Sequence, residues 1–168
     1  MSLVLFTCMV GLLIAPQNVS YLNSILSLIA VALGAGAAGT LNMWYESDLD
    51  ALMTRTCLRP IPTGQVTKNQ ALFFGILLSI GSVSLLYFSS NLISASLLLI
   101  TICFYFFIYT VWLKRRTPHN IVIGGAAGAL PPVIGWTIST GSLNIEPLIL
   151  FLIIFLWTPS HFWALSIY

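Results

Sequence analysis

Apolar residues dominate the chain, and its polar positions fall into a few short breaks. Runs long enough to cross a bilayer, taken as about 20 residues, lie near 23–43, 69–88, 92–113, 120–140 and 147–165. A sixth run, 2–16, stops at Pro16, short of a full span. It follows Met1 directly, with no basic stretch before it and no small-residue cleavage pattern, so it is a poor signal peptide and reads as a helix lacking its first turn or two. The expected fold class is all-α: a polytopic transmembrane helix bundle of about six spans, forming a single domain over 1–168.

Composition supports the same reading. Hydrophobic residues make up 58% of the 168 and charged residues only 6%, against roughly a quarter charged in ordinary soluble domains. The placement of charge says more than the net +2. All six basic residues lie in two places, Arg55, Arg59 and Lys68 in one and Lys114, Arg115 and Arg116 in the other. Two spans separate these loops, so they share a side, which the positive-inside rule makes the cytoplasm. The opposite loops "PQNVSY", "SSN" and "STGSLNIEP" hold no Lys or Arg and a single acid, Glu146. Met1 and Tyr168 then both lie inside, in a cell inner membrane. Cys8, Cys57 and Cys103 are scattered without a CxxC pair, so they point to neither a disulfide framework nor a zinc site and read as small apolar residues.

Two stretches are rich in small residues, "GAGAAG" (34–39) and "GGAAGALPP" (124–132). Close helix packing, with a kink at Pro131 and Pro132, accounts for both. No GK[ST] sequence accompanies them, so neither is a phosphate loop. Trp44, Tyr45, Trp112, Trp136, Trp157 and Trp163 fall near expected interfaces or helix ends and read as membrane-belt anchors, with a minority left to line a cavity.

The chain holds only four acidic residues, and three of them, Glu46, Asp48 and Asp50, stand within five positions. Ionised groups near hydrocarbon need a reason. Asn42, Glu46 and Asp50 are spaced by four, so on a helix continuing from the preceding span they share one face while Asp48 points elsewhere. Two carboxylates and an amide on one face suit a hard cation such as Mg2+, with positions left for water and substrate phosphates. Arg55 and Arg59, again four apart, offer guanidinium forks for phosphate oxygens, and Pro60 and Pro62 are expected to end the helix just beyond them. The plain alternative is a solvated loop whose acids and arginines pair with each other.

"NMWYESDLDALMTRTCLRPIPTG", "VWLKRRTPHNIVIGGAAGALPPVIGW" and "FLWTPSHFWALSIY" together make the chain resemble the protohaem IX farnesyltransferases, or haem O synthases, a family of intramembrane aromatic prenyltransferases. The resemblance covers essentially the whole chain. It implies an all-helical bundle that binds magnesium and farnesyl diphosphate between two acidic motifs and transfers the farnesyl group to a vinyl of protohaem IX. On that basis Asn42, Glu46 and Asp50 would be the catalytic metal-binding set. The chain departs from the family pattern in three ways. Glu46 stands where Asp is common, a Lys-Pro-Arg stretch expected before the first helix is absent, and the second acidic motif would come after "HFWALSIY". The resemblance therefore implies the front part of an enzyme, cut at both ends.

Lys114, Arg115 and Arg116 serve as the topology signal and as candidate contacts to diphosphate or haem propionates, beside Arg55 and Arg59 as candidate diphosphate contacts. His119, which follows them, reads as an interfacial polar residue, with a ligand role as the alternative. His161, in an apolar span beside Trp157 and Trp163, is either a satisfied buried histidine or a haem or substrate contact. Expected partners are farnesyl diphosphate, protohaem IX and membrane lipid, with room for an oligomer or a haem-pathway membrane partner and none for nucleic acid. A quinone-precursor prenyltransferase shares the first acidic motif and is the alternative within the enzyme class. A non-catalytic remnant or haem-handling membrane subunit is the alternative outside it.

Overall fold

The computed structural model describes every residue except Asn18, Arg115, Pro118, His119 and 166–168, together with the backbone alone at Leu165. The described elements are all helical. Helix α1 is Ser2–Ile14, α2 Tyr21–Tyr45, α3 Ser47–Leu52, α4 Lys68–Ser89 and α5 Leu92–Cys103, which continues as a π-helix over Phe104–Leu113. Helices α6 (Asn120–Ala129), α7 (Pro131–Thr140) and α8 (Ile145–Leu165) follow. Among the described residues five stretches are long and apolar enough to cross a membrane: Tyr21–Tyr45, Lys68–Ser89, Leu92–Leu113, Asn120–Thr140 and Ile145–Ala164. Each overlaps one of the five runs expected from hydropathy, and the short sixth run is the 13-residue α1.

The local signals explain the boundaries. Thr67 starts α4 with a reciprocal cap, its hydroxyl accepting from the Gln70 amide while the Gln70 side chain accepts from the Thr67 backbone. Asn91 starts α5 by accepting from the Ser94 amide. The expected proline kink is a full break between α6 and α7, where Pro131 and Pro132 occupy the first turn of α7 and so need no intrahelical donor.

Helix α2 packs chiefly on α4, and α1 on α7. Small residues allow both approaches and that of α2 to α5. A Cβ on Gly75 would come within 2.8 Å of Leu41, one on Gly34 within 2.8 Å of Leu98, and Cβ atoms on Gly11 and Gly135 would land on the backbone carbonyls of Pro132 and Cys8. Between these pairs lies a core of Cys8, Ala30, Val31, Leu86, Leu98, Ile102, Ile134 and Ile138. Cys8 is a buried apolar residue, as expected, and all three cysteines are free thiols. Trp136 corrects the membrane-belt reading: it is 5% exposed and packed inside the bundle, because α7 is buried along its length from Pro131 to Ile138.

Hydrogen bonds between side chains tie the two ends of the bundle. At one end Ser27 bonds Ser89 at 3.0 Å, and Asn91 and Ser94 bond the backbone and hydroxyl of Thr137 at 2.7 and 3.0 Å. At the other end Asn42 and Glu46 meet Thr110 and Lys114. The acidic loop and the start of the second basic loop therefore share one end of the bundle, as the charge pattern requires.

Candidate active site

The helix expected to carry the acidic face is interrupted, yet the face survives. Glu46 leaves helical geometry (φ −97°, ψ 9°) and separates α2 from α3. The i→i−4 bonds still continue through the break, with the Glu46 amide donating to the Asn42 carbonyl at 3.0 Å and the Asp50 amide to the Glu46 carbonyl at 2.8 Å. Asn42, Glu46 and Asp50 consequently lie a turn apart and are 8%, 2% and 4% exposed, while Asp48 is exposed. The face assignment read from the spacing of four thus matches the fold.

The arginines depart from expectation. Helix α3 ends at Leu52, eight residues before Pro60, and the chain from Met53 proceeds in turns. Arg55 and Arg59 therefore do not share a helical face. Arg59 folds back to place Nη1 2.7 Å from Asp50 Oδ2, helped by the Thr56 hydroxyl donating to the Asp50 carbonyl at 3.1 Å. Arg55 is exposed. The pairing of acid with arginine, weighed as the plain alternative, is present within the candidate site itself.

Glu46 is served from across the bundle. Lys114 Nζ lies 2.5 Å from Glu46 Oε2, an ion pair between residues 68 apart in sequence, and Asn42 Nδ2 donates to the same oxygen at 3.0 Å. Asn42 Nδ2 also lies 3.2 Å from Thr110 Oγ1. Thr110 and Lys114 are delivered by the π-helix, whose five-residue register appears in the Lys114 amide donating to the Tyr109 carbonyl, while the Thr110 hydroxyl donates to the Tyr105 carbonyl. Such segments are rare and frequently found at functional sites. Lys114 Nζ also stands 5.9 Å from the Tyr109 ring centre, and Tyr109 lies 5.1 Å from Tyr105, centroid to centroid.

Tyr105 in turn lines an apolar cavity of about 300 Å³ between α1, α2, the α5 segment and α6–α7. Gly34, Ala35, Ala38 and Gly39 of α2 and Ala127 and Gly128 of α6 contribute to its wall. A Cβ on Gly39 or Gly128 would meet nothing within 4 Å. The small-residue runs therefore pack helices at some positions and leave room at others.

Among the described residues no three His, Cys, Asp or Glu side chains converge on a metal position. Two carboxylates and an amide nevertheless fit a magnesium ion, which typically takes one or two protein carboxylates and completes its shell with water and phosphate. One observation favours the fit: Glu46 Oε1 is buried without a hydrogen-bond partner, an arrangement that native structures rarely leave unexplained.

The other candidates lie apart. Arg116 is exposed, and Arg115 and His119 lie outside the described residues, as does Tyr168. His161 is exposed on α8 rather than buried, stacked on Trp157 with centroids 4.2 Å apart, and its ring also meets Phe162. Thr110, Tyr105 and Tyr109 were not marked by spacing. The one usable signal was Thr110 itself, the sole non-aromatic polar side chain in the run "FYFFIYTVWL".

An all-helical intramembrane bundle with a buried carboxylate face at one end and an apolar cavity beside it is the setting of a membrane prenyltransferase, and the chain belongs to the UbiA prenyltransferase family, whose profile matches residues 4–168. Among its relatives is a protein of Pelagibacter ubique (strain HTCC1062) named protoheme IX farnesyltransferase, 70% identical over 168 residues, which are all of this chain and 55% of the relative. A protein of the same name from Ehrlichia ruminantium (strain Gardel) is 59% identical, covering 99% of this chain and 57% of its own. A protoheme IX farnesyltransferase 2 from Mesorhizobium japonicum is 56% identical, covering 100% and 54%. The chain thus spans about half the length of the curated relatives it matches. No solved structure matches it.

Proposed function

We propose that the chain is the part of a protohaem IX farnesyltransferase that holds the diphosphate of farnesyl diphosphate and shelters its chain, in a cytoplasmic membrane with the acidic end facing the cytoplasm. The observation that carries this reading is the orphaned, buried Glu46 Oε1 on a face shared with Asp50 and Asn42. These three would hold magnesium, which supplies positive charge to a leaving diphosphate. Lys114 and Arg59, with the exposed Arg55 and Arg116, would offer charge-assisted hydrogen bonds to phosphate oxygens.

In the reaction the farnesyl C1–O bond breaks, and the electron pair leaves with the diphosphate. A vinyl carbon of protohaem then bonds C1, and water adds to the resulting cation with loss of a proton, giving the hydroxyethylfarnesyl group. The apolar cavity excludes water from the allylic cation until the vinyl carbon attacks. Tyr105, which lines that cavity, offers it a π face. His161 and Trp157 form an exposed aromatic platform suited to a porphyrin edge. An oligomer or a second membrane subunit on the exposed helix faces is compatible with this reading.

The test is a chimaera in which residues 1–168 replace the matching part of the Pelagibacter relative, reconstituted with magnesium, farnesyl diphosphate and either protohaem IX or 4-hydroxybenzoate. Haem O by mass spectrometry, abolished by Asp50→Ala, is the expected product. A prenylated hydroxybenzoate instead would replace this reading with the quinone-precursor alternative.

A further inference from the structure

We infer that Lys114 and Arg59 are resident counter-ions of the two carboxylates, exchanging Glu46 and Asp50 for the diphosphate so that a divalent cation is held well only together with a diphosphate. The inference rests on the diphosphate reading above and adds to it an exchange of ion-pair partners that couples cation binding to diphosphate binding.

The four groups form two closed pairs, Lys114 with Glu46 at 2.5 Å and Arg59 with Asp50 at 2.7 Å. Two negative charges thus face two positive ones, and the set is balanced by the chain's own residues. A lone divalent cation would bring the set to a net charge of two plus beside the Lys114 ammonium, at a site where the carboxylates are 3% and 5% exposed and repulsion is weakly screened. A metal–diphosphate unit carries net negative charge and reverses that balance.

Exposure identifies which partners can move. Both cationic side chains are 36% exposed, whereas the carboxylates are fixed in the bundle end. Glu46 is further held by Asn42, itself within bonding distance of Thr110, and the Asp50 backbone by the Glu46 carbonyl and the Thr56 hydroxyl. Breaking a buried pair without replacing either partner is expensive, because it strands a charge. Simultaneous arrival of cation and phosphate leaves no charge stranded, since the cation takes the carboxylate and the phosphate takes the ammonium or guanidinium. The five donors of Arg59 and the three of Lys114 suit phosphate oxygens as well as carboxylates. The buried Oε1 of Glu46, without a partner, is the position at which a cation could bind before Lys114 lets go of Oε2.

The experiment uses the chimaera described above in lipid nanodiscs and reads two affinities: that for Mn2+ alone, by electron paramagnetic resonance, and that for radiolabelled inorganic pyrophosphate in excess magnesium. Lys114→Met should change them in opposite directions, tightening Mn2+ alone about tenfold and weakening pyrophosphate about tenfold, as expected for one nearby charge that repels one ligand and attracts the other. Lys114→Arg should behave as the parent does. Arg59→Gln repeats the test at the second pair, should Lys114→Met fail to fold with Glu46 left unpaired. A Lys114→Met or Arg59→Gln protein that binds Mn2+ more weakly, or pyrophosphate as well as the parent does, overturns the exchange and leaves these residues as structural partners. A parent chimaera that binds no pyrophosphate in magnesium overturns the diphosphate reading itself and the exchange with it.

Discussion

Gly135→Ala tests how the wall of the cavity is held. Helices α1 and α7 meet backbone to backbone, with Gly11 against Pro132 and Gly135 against Cys8 and Leu12. A Cβ on Gly135 would lie 2.9 Å from both the Cys8 carbonyl carbon and the Leu12 amide nitrogen, and closer still to the Cys8 carbonyl oxygen. Ordinary contact needs about 3.5 Å, so these two atoms alone require α1 to withdraw by at least ~0.6 Å. The atoms in the way are helix backbone and cannot rotate aside. Overpacking of this kind costs about 1–3 kcal/mol, which in a chain of this size lowers Tm by roughly 2–12 °C. Because Val4 of α1 and Pro131 and Ile134 of α7 line the cavity, the same shift would open it. Cys8, fully buried at this contact, is a built-in reporter once Cys57 and Cys103 are replaced by Ala. Thiol-reactive dye fluorescence during heating should show Cys8 of Gly135→Ala reacting at a lower temperature than the parent. Gly81→Ala, where a Cβ meets nothing within 4 Å, is the control and should be neutral or slightly stabilising. Equal transition temperatures for Gly135→Ala and Gly81→Ala would refute the backbone-contact argument.

Two further outcomes follow from the site and the charge pattern. Asp50→Ala should reduce magnesium-dependent pyrophosphate binding at least about tenfold, and Asp48→Ala by less than about threefold, because only Asp50 shares the buried face of Asn42 and Glu46; equal losses in equilibrium binding would contradict the face assignment. In a background lacking the native cysteines, Lys68→Cys and Arg116→Cys should label from one side of the membrane and Asn144→Cys from the other, and opposite sides for 68 and 116 would sink the topology.

The spans were legible because hydrocarbon imposes one rule on every residue of a crossing segment, and local errors average out over ~20 positions. The acidic face was legible for a different reason. A spacing of four survives even the break at Glu46, since the backbone bonds on either side of it still run i→i−4. Arg59 was not legible as a partner of Asp50, because the pair depends on turns after Leu52 that no period describes. Lys114 shows the deeper limit. Read as α-helix from Ile102, at about 3.6 residues per turn against about 4.4 in a π-helix, the ten residues Phe104–Leu113 accumulate an error near half a turn. That error would place Lys114 on the far side of its helix from Glu46. Nothing in "FYFFIYTVWL" marks the five-residue register, since aromatic and β-branched residues in a membrane accept either winding. The register is instead held by tertiary partners, Asn42 meeting Thr110 and Glu46 bonding Lys114, so the acidic face places the π-helix. A site in which one wall holds its own register and the other is placed by contact with it can be half read from sequence, and here the wall with periodic spacing was the one that could be read.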